Sequence, residues 1–367
     1  MIARRALALC TVLTASLALA GPAAATGRPL RITGARADTA LTRSWQEFGR
    51  RPGAGWAAAD GTYSTRLPSG PVVWLFNDTF FGPVRADDSL PGSAAFTHNS
   101  AVLSTVDGRH PLATIAPGPA GHPRSLVGPT PQSPDRPNDH WYWNGDGTVD
   151  GGKLRVIEFE QEPTDGPPPF NFAWTRTKLA TLDPFTFRVE KLTEVPSAGG
   201  VQWGTELMRD GAWTFVYGVE GDGPTKYLHL ARAPLGRLDG PWQFRTATGW
   251  TGDPAGSVRL LGDVGSSFGV TPIGGEYLLT TFGSGLGNTI HAYHAASPAG
   301  PFTGGETVYT APEAGPGRYT YNVAAHPEIS RPGHLVVSYN TNSERLADLY
   351  ADIDHNRPRF VDLQLSR

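Results

Sequence analysis

Cysteine is all but missing from this sequence: the single copy, Cys10, lies in an N-terminal stretch that reads as a leader. A chain cleaved after Ala25 therefore has no disulfide, no thiolate metal site and no cysteine nucleophile. Leu9 precedes Cys10 where lipidation would call for a small residue. Methionine is down to two copies and long amphipathic runs are scarce, which argues against a helical bundle. Past the leader, no stretch approaches the ~20 apolar residues of a membrane span. Basic excess is absent as well. The formal net charge is −3, and −5 once Arg4 and Arg5 leave with the leader, so neither nucleic acid nor a membrane is expected as partner. There is no Gly-x-Ser-x-Gly elbow, no phosphate-binding glycine loop and no Asp-box repeat. Among enzymes, acid/base chemistry is left.

What is abundant points to short strands and tight turns: 45 Gly, 33 Pro, ten Trp, 11 Tyr and 16 Phe in 367 residues. Arg4 and Arg5, the apolar run Ala6 to Ala20 and the small residues Ala23 to Ala25 have the order of a signal peptide, residues 1–25. The remainder, 26–367, is expected as one secreted, extracellular, monomeric domain.

One pattern recurs five times: a strand, a Gly turn, then an apolar strand ending in an aromatic. It runs from Asp60 to Phe76 around Gly70, Trp141 to Phe159 around Gly151, and Trp203 to Tyr217 around Gly211. It returns from Ser267 to Phe282 around Gly274 and from Tyr321 to Tyr339 around Gly333. The later turns are about 60 residues apart, room for four strands per unit, which predicts an all-β, five-bladed β-propeller. A pair of β-sandwiches is the alternative. Outer strands are expected at Ser100, Lys178, Tyr227 and Thr289, and a loop over one face from Pro111 to Pro137. Leu30 to Thr33 reads as an edge strand, and the run from Arg359 could close the ring with the N-terminus.

The first hairpin carries the chemistry. If Leu67 faces Pro71 across the turn, Asp60 falls opposite Asp78 on the same face. Opposed carboxylates have Cβ atoms about 4.5–5.5 Å apart and repel unless one is protonated, which packing avoids and glycosyl transfer uses. A bland reading stands beside it: Asp60-Gly61 as turn punctuation and Asn77-Asp78-Thr79 as a strand cap. Aligning the hairpins brings Asn144, Trp203, Ser267, Asn322 and Asn340 to the same mouth, and Asn99, Trp143 and His326 complete the sugar-binding candidates. For His98 and His326 a hydrogen-bonded structural role competes. Glu206 is a reserve acid, deeper than Asp60, whereas Glu158 and Glu160 read as a solvated face. Asn144 to Asp150 has the look of a calcium loop but lacks the Gly at its sixth position and the distal Glu, so a hairpin loop is expected. No metal or cofactor is called for.

The motifs Trp56...Asp60-Gly-Thr-Tyr-Ser...Leu67-Pro-Ser-Gly...Trp74-Leu-Phe-Asn-Asp78-Thr-Phe-Phe-Gly, His98-Asn-Ser, Trp141-Tyr-Trp143, Trp203-Gly204, Tyr321-Asn322...His326-Pro-Glu328, Ser338-Tyr-Asn-Thr-Asn342 and Arg357-Pro-Arg-Phe360 together resemble a secreted bacterial family. That family is domain of unknown function 4185, which includes the endo-D-arabinanases of glycoside hydrolase family 183. The resemblance implies a five-bladed propeller with its catalytic carboxylates in the first blade, here Asp60 and Asp78. The expected reaction is two-carboxylate hydrolysis of arabinofuranosidic linkages in a polysaccharide or oligosaccharide. Asp78, beside Phe76, Phe80 and Phe81, is the expected acid and Asp60 the base. A secreted propeller that binds carbohydrate without cutting it is the alternative.

Overall fold

The computed structural model describes residues 28–52, 55–119, 121–129, 140–167 and 170–367; the expected leader lies outside them. No helix among the described residues is long and apolar enough to cross a membrane. The chain is all-β, built of several antiparallel sheets.

All five hairpins form where the Gly turns place them, each as the first two strands of a sheet. They are Tyr63–Arg66 with Val72–Phe76, Trp141–Asp150 with Lys153–Pro163, Val201–Asp210 with Trp213–Asp222, Phe268–Ile273 with Glu276–Thr281, and Arg318–Ala325 with His334–Ser343. Each sheet continues outward as a meander. The expected outer strands appear in Ser100–Ser104, Phe172–Leu182, Thr225–Pro234 and Thr289–Ala295. Pro111–Ile115, expected as the start of a loop, is instead the fourth strand of the first sheet, paired with Ser100–Ser104. A small companion sheet of Trp56–Ala59, Thr79–Phe81 and Phe96–Thr97 extends the first hairpin beyond Asp60 and Asp78.

The sheets follow one another through their first strands, each touching the next. Apolar side chains alternate onto both faces of these strands, so every neighbouring pair of sheets shares a core. Tyr142 and Val156 meet Val73 and Leu75; Ile157 and Leu179 meet Trp203 and Val216; Tyr217 and Leu228 meet Phe268 and Val270; Leu278 and Ile290 meet Val337 and Leu363. The fifth core joins last sheet to first: Val336 and Phe360 pack with Val72, Trp74 and Phe76. The succession therefore closes on itself. Arg31–Ala37 completes the last sheet against Arg359–Ser366, the N-to-C-terminal pairing expected from sequence.

A helix, Thr39–Gly49, follows the N-terminal strand, where the sequence reading placed no element. Asp38 caps it, accepting from the Leu41 amide at 3.1 Å, and Leu41, Trp45 and Phe48 line one face at helical spacing. Trp45 meets Trp56, Trp74 and Phe76 edge-on at 5.1–5.3 Å between ring centroids, sealing the fifth core.

Candidate active site

The first hairpin kinks at its acids. Gly61 has φ +62°, and a Cβ there would sit 2.4 Å from Asn77 Nδ2, so only glycine fits between the two ladders. Ala59 faces Thr79 on one side of the kink and Tyr63 faces Leu75 on the other, in one register that sets Asp60 opposite Asp78.

The two carboxyls have different surroundings. Asp60 Oδ1 is shut off from solvent without a partner among the described residues, and Oδ2 accepts from the Tyr321 hydroxyl. Burial first, then the Asp78 charge, raises Asp60 to about 7, against the lowering pull of Tyr321. Asn342 in turn donates to Tyr321 at 3.0 Å. Asp78 is 31% exposed; its Oδ1 accepts from Trp143 Nε1 at 2.8 Å and lies 3.0 Å from His98 Nδ1. His98 is itself stacked on Trp141 at 4.7 Å. The expected assignment of acid and base thus has its premise reversed. Phe76 packs around Trp45 and Phe80 against Phe96 and Tyr350, which leaves Asp78 in the polar setting and Asp60 in the dry one.

Both acids open into a cavity of about 660 Å³ walled by Trp143, Phe159, Phe172, Trp174, Tyr319 and Tyr321, with exposed Phe170 at its rim. Aromatic faces with a few polar groups suit sugar rings, which present C–H patches and hydroxyls. An amide lock steadies the floor: Asn77 Oδ1 accepts from the Asn144 amide at 2.6 Å, and Asn144 Nδ2 donates to Phe76 O at 2.8 Å.

Of the residues singled out from sequence, Asp60, Asp78, Trp143, Asn144, Ser267 and Asn322 line this cavity. Ser267 is committed to Val323 O at 2.9 Å, and Asn322, with φ +56°, sits in a bulge of the fifth sheet's first strand. Asn99, Trp203, His326 and Asn340 do not line it. Asn99 ties Val127 and Tyr142 together through their backbones, and Trp203 is buried against Phe244. His326 bridges Ser64 and Ser338, held neutral by burial that drives it down to about 3. Asn340 accepts from the Gly61 amide and donates to Thr62, joining last sheet to first.

Glu206 lies outside the cavity wall. A bulge at Gly204, where a Cβ would strike Ile157 at 2.4 Å, turns it toward a deeper group of acids with Asp146 and Glu328. Burial raises all three, Asp146 and Glu328 to about 7. Asn144 to Asp150 belongs to a strand rather than a hairpin loop, and Asp146 and Asp150 accept from backbone amides. Glu158 and Glu160 are buried, not solvated: Glu160 pairs with Lys178 at 3.0 Å, and Glu158 has no partner among the described residues.

Phe172, Trp174, Tyr319 and Lys226 were not anticipated. Phe170, Phe172 and Trp174 alternate at the spacing of one strand face, a signal present in the sequence; nothing local marks Lys226.

The fold is similar to that of a Bacteroides ovatus protein described as a candidate hydrolase, with a TM-score of 0.71 and 22% identity, over 88% of this chain and 89% of that one. Alpha-L-arabinofuranosidase from Lactobacillus brevis has a TM-score of 0.49 and 13% identity, over 83% of this chain and 90% of that one. Exo-beta-1,3-galactanase from Phanerochaete chrysosporium also has a TM-score of 0.49, at 12% identity, over 84% of this chain and 62% of that one. No curated protein matches the chain. The family shown is other than the one the motifs resemble: the profile of the domain of unknown function DUF5005 matches residues 42–365, and the chain belongs to that family.

Proposed function

We propose that this protein is an exported glycoside hydrolase, a five-bladed propeller that cleaves arabinofuranosidic, D-arabinan-like linkages with Asp60 and Asp78. The carrying observation is the contrast between two opposed acids at one cavity: Asp60, half-buried with Oδ1 closed off and raised to about 7, and Asp78, 31% exposed and hydrogen-bonded. Two carboxyls held apart in this way divide into acid and nucleophile. The closed succession of sheets supports the propeller reading, and the motif resemblance supports the kinship to the arabinanase family.

Tyr321 donates to Asp60 Oδ2, and burial with the Asp78 charge keeps the carboxyl protonated up to about 7. The Asp60 proton passes to the glycosidic oxygen as the bond to the anomeric carbon breaks. Asp78, held through Oδ1 by Trp143 and His98, attacks the anomeric carbon with Oδ2. Water then cleaves the glycosyl ester with ionised Asp60 as base, and the anomeric configuration is retained.

The test offers purified protein D-arabinan, L-arabinan, xylan and galactan beside the Asp60→Asn/Asp78→Asn variant, with products followed by NMR. Fragments from D-arabinan of retained configuration, absent with the variant, are expected. No cleavage of any polymer, with binding to one of them unchanged in the variant, would establish a carbohydrate-binding module instead.

A further inference from the structure

Across the cavity from the acids, the third and fourth sheets contribute a different kind of wall. Lys226, at the start of Thr225–Pro234, is the one cationic side chain among the described lining residues. Its ammonium donates to Ser284 O at 2.9 Å. No carboxylate pairs with it among the described residues; Asp263, on the adjoining loop, takes the Ser284 amide at 2.8 Å instead. Burial alone pushes Lys226 below its usual 10.5, with no acid to counter it. An ammonium has three donors, so this half-buried one keeps unfilled hydrogen-bonding capacity. Withdrawing a cation from water without a paired counter-charge opposes stability, and no described residue forms an ion pair with this one.

The wall beside it suits a close-fitting group. Gly285 has open space where a Cβ would stand and Ser266 is exposed at the same place, while the Asp263 carboxylate lies behind Gly283, its Oδ1 3.1 Å from where a Cβ would be. Glycines permit close backbone approach, and an ammonium with a hydroxyl can meet a carboxylate or phosphate.

We propose that Lys226, with Ser266 and the open backbone at Gly285, is an anion subsite that receives a carboxylate or phosphate substituent of an acidic glycan. The proposal rests on the cavity being a glycan site and deepens it: the preferred chain carries acidic decoration a short distance from the bond presented to Asp60 and Asp78. Carboxylate and phosphate share the chemistry of this subsite, and separate probes distinguish them.

Calorimetric binding tests it without recourse to turnover. The probes are neutral arabinobiose, arabinose 5-phosphate and digalacturonate, measured at low salt with wild type, Lys226→Gln and Lys226→Arg. One anionic probe is expected to bind about 10-fold tighter than the neutral one. Lys226→Gln should abolish that preference, and Lys226→Arg should keep most of it. Equal affinity for neutral and anionic probes overturns the proposal, as does a preference that survives in Lys226→Gln. Should Lys226→Gln fail to fold, Lys226→Arg decides through its salt dependence: binding that does not weaken at high salt overturns the proposal. A Lys226-dependent preference without hydrolysis of any polymer would sink the hydrolase reading and leave the subsite. Hydrolysis without the preference would do the reverse.

Discussion

At the residue scale, one hydrogen bond sets how Asp60 works. Tyr321 donates to it and so favours its ionised form, opposing the burial and the Asp78 charge that raise it to about 7. Replacing Tyr321 with Phe removes the lowering contribution alone. A hydrogen bond worth about 1 kcal/mol corresponds to a shift of roughly 1 pH unit. The basic limb of the kcat/KM profile, set by loss of the Asp60 proton, should therefore move upward by roughly that much in Tyr321→Phe. An unmoved limb would show that Asp60 is not the titrating acid. Asp60 and Asp78 were legible in sequence because their relation is local, fixed by one turn. Asn99 and Asn340 do not reach the mouth, and His326 takes the structural role that competed in sequence, because their partners, at Tyr142, Gly61 and Ser64, come from elsewhere in the chain. A buried amide and a mouth amide look alike until those partners are known.

At the element scale, five hairpins could be read because each declares itself within about 20 residues through a Gly turn and an apolar return strand. The helix Thr39–Gly49 could not be read in that way. Its Leu41, Trp45 and Phe48 have the right spacing, but the surface that stabilises them is assembled from Trp56, Trp74 and Phe76. Trp45 is wholly buried among these rings. Trp45→Ala should cost about 3–5 kcal/mol, read as a lower urea midpoint with an unchanged slope. A midpoint within error of wild type would mean that the helix contributes nothing to closing the last core on the first. The bulges at Gly204 and Asn322 were equally hidden, since a bulge depends on what lies across it.

At the scale of the whole molecule, acids in and below the cavity make stability depend on pH. Asp60, Asp146 and Glu328 are each raised to about 7 by burial. A carboxyl with a raised folded value contributes stability that is full below its unfolded value and is lost as pH climbs through about 7. His326, lowered to about 3, works in the opposite sense: its contribution is present above 6.5 and is lost as pH falls toward about 3. Three carboxyls against one histidine give a protein with a higher Tm at pH 5 than at pH 8. A Tm that rises from pH 5 to pH 8 would show these acids to be ionised and compensated in the folded state. No sequence pattern brings Asp146, Glu206 and Glu328 together, since they come from three different sheets or their connections.

The central claim, that Asp60 protonates the leaving oxygen and Asp78 attacks the sugar, is tested most directly by a change of leaving group. Rates are measured for Asp60→Asn and Asp78→Asn on an arabino-oligosaccharide and on its 4-nitrophenyl glycoside, whose leaving group needs no proton. General acid catalysis contributes about 10²–10⁴-fold, so Asp60→Asn should lose that much of kcat/KM on the oligosaccharide yet keep a kcat/KM near wild type on the nitrophenyl substrate, where kcat falls because Asp60 is also the base of the second step. Asp78→Asn should fail on both. Equal losses of kcat/KM by Asp60→Asn on the two substrates, or a fast Asp78→Asn on either, would contradict the account.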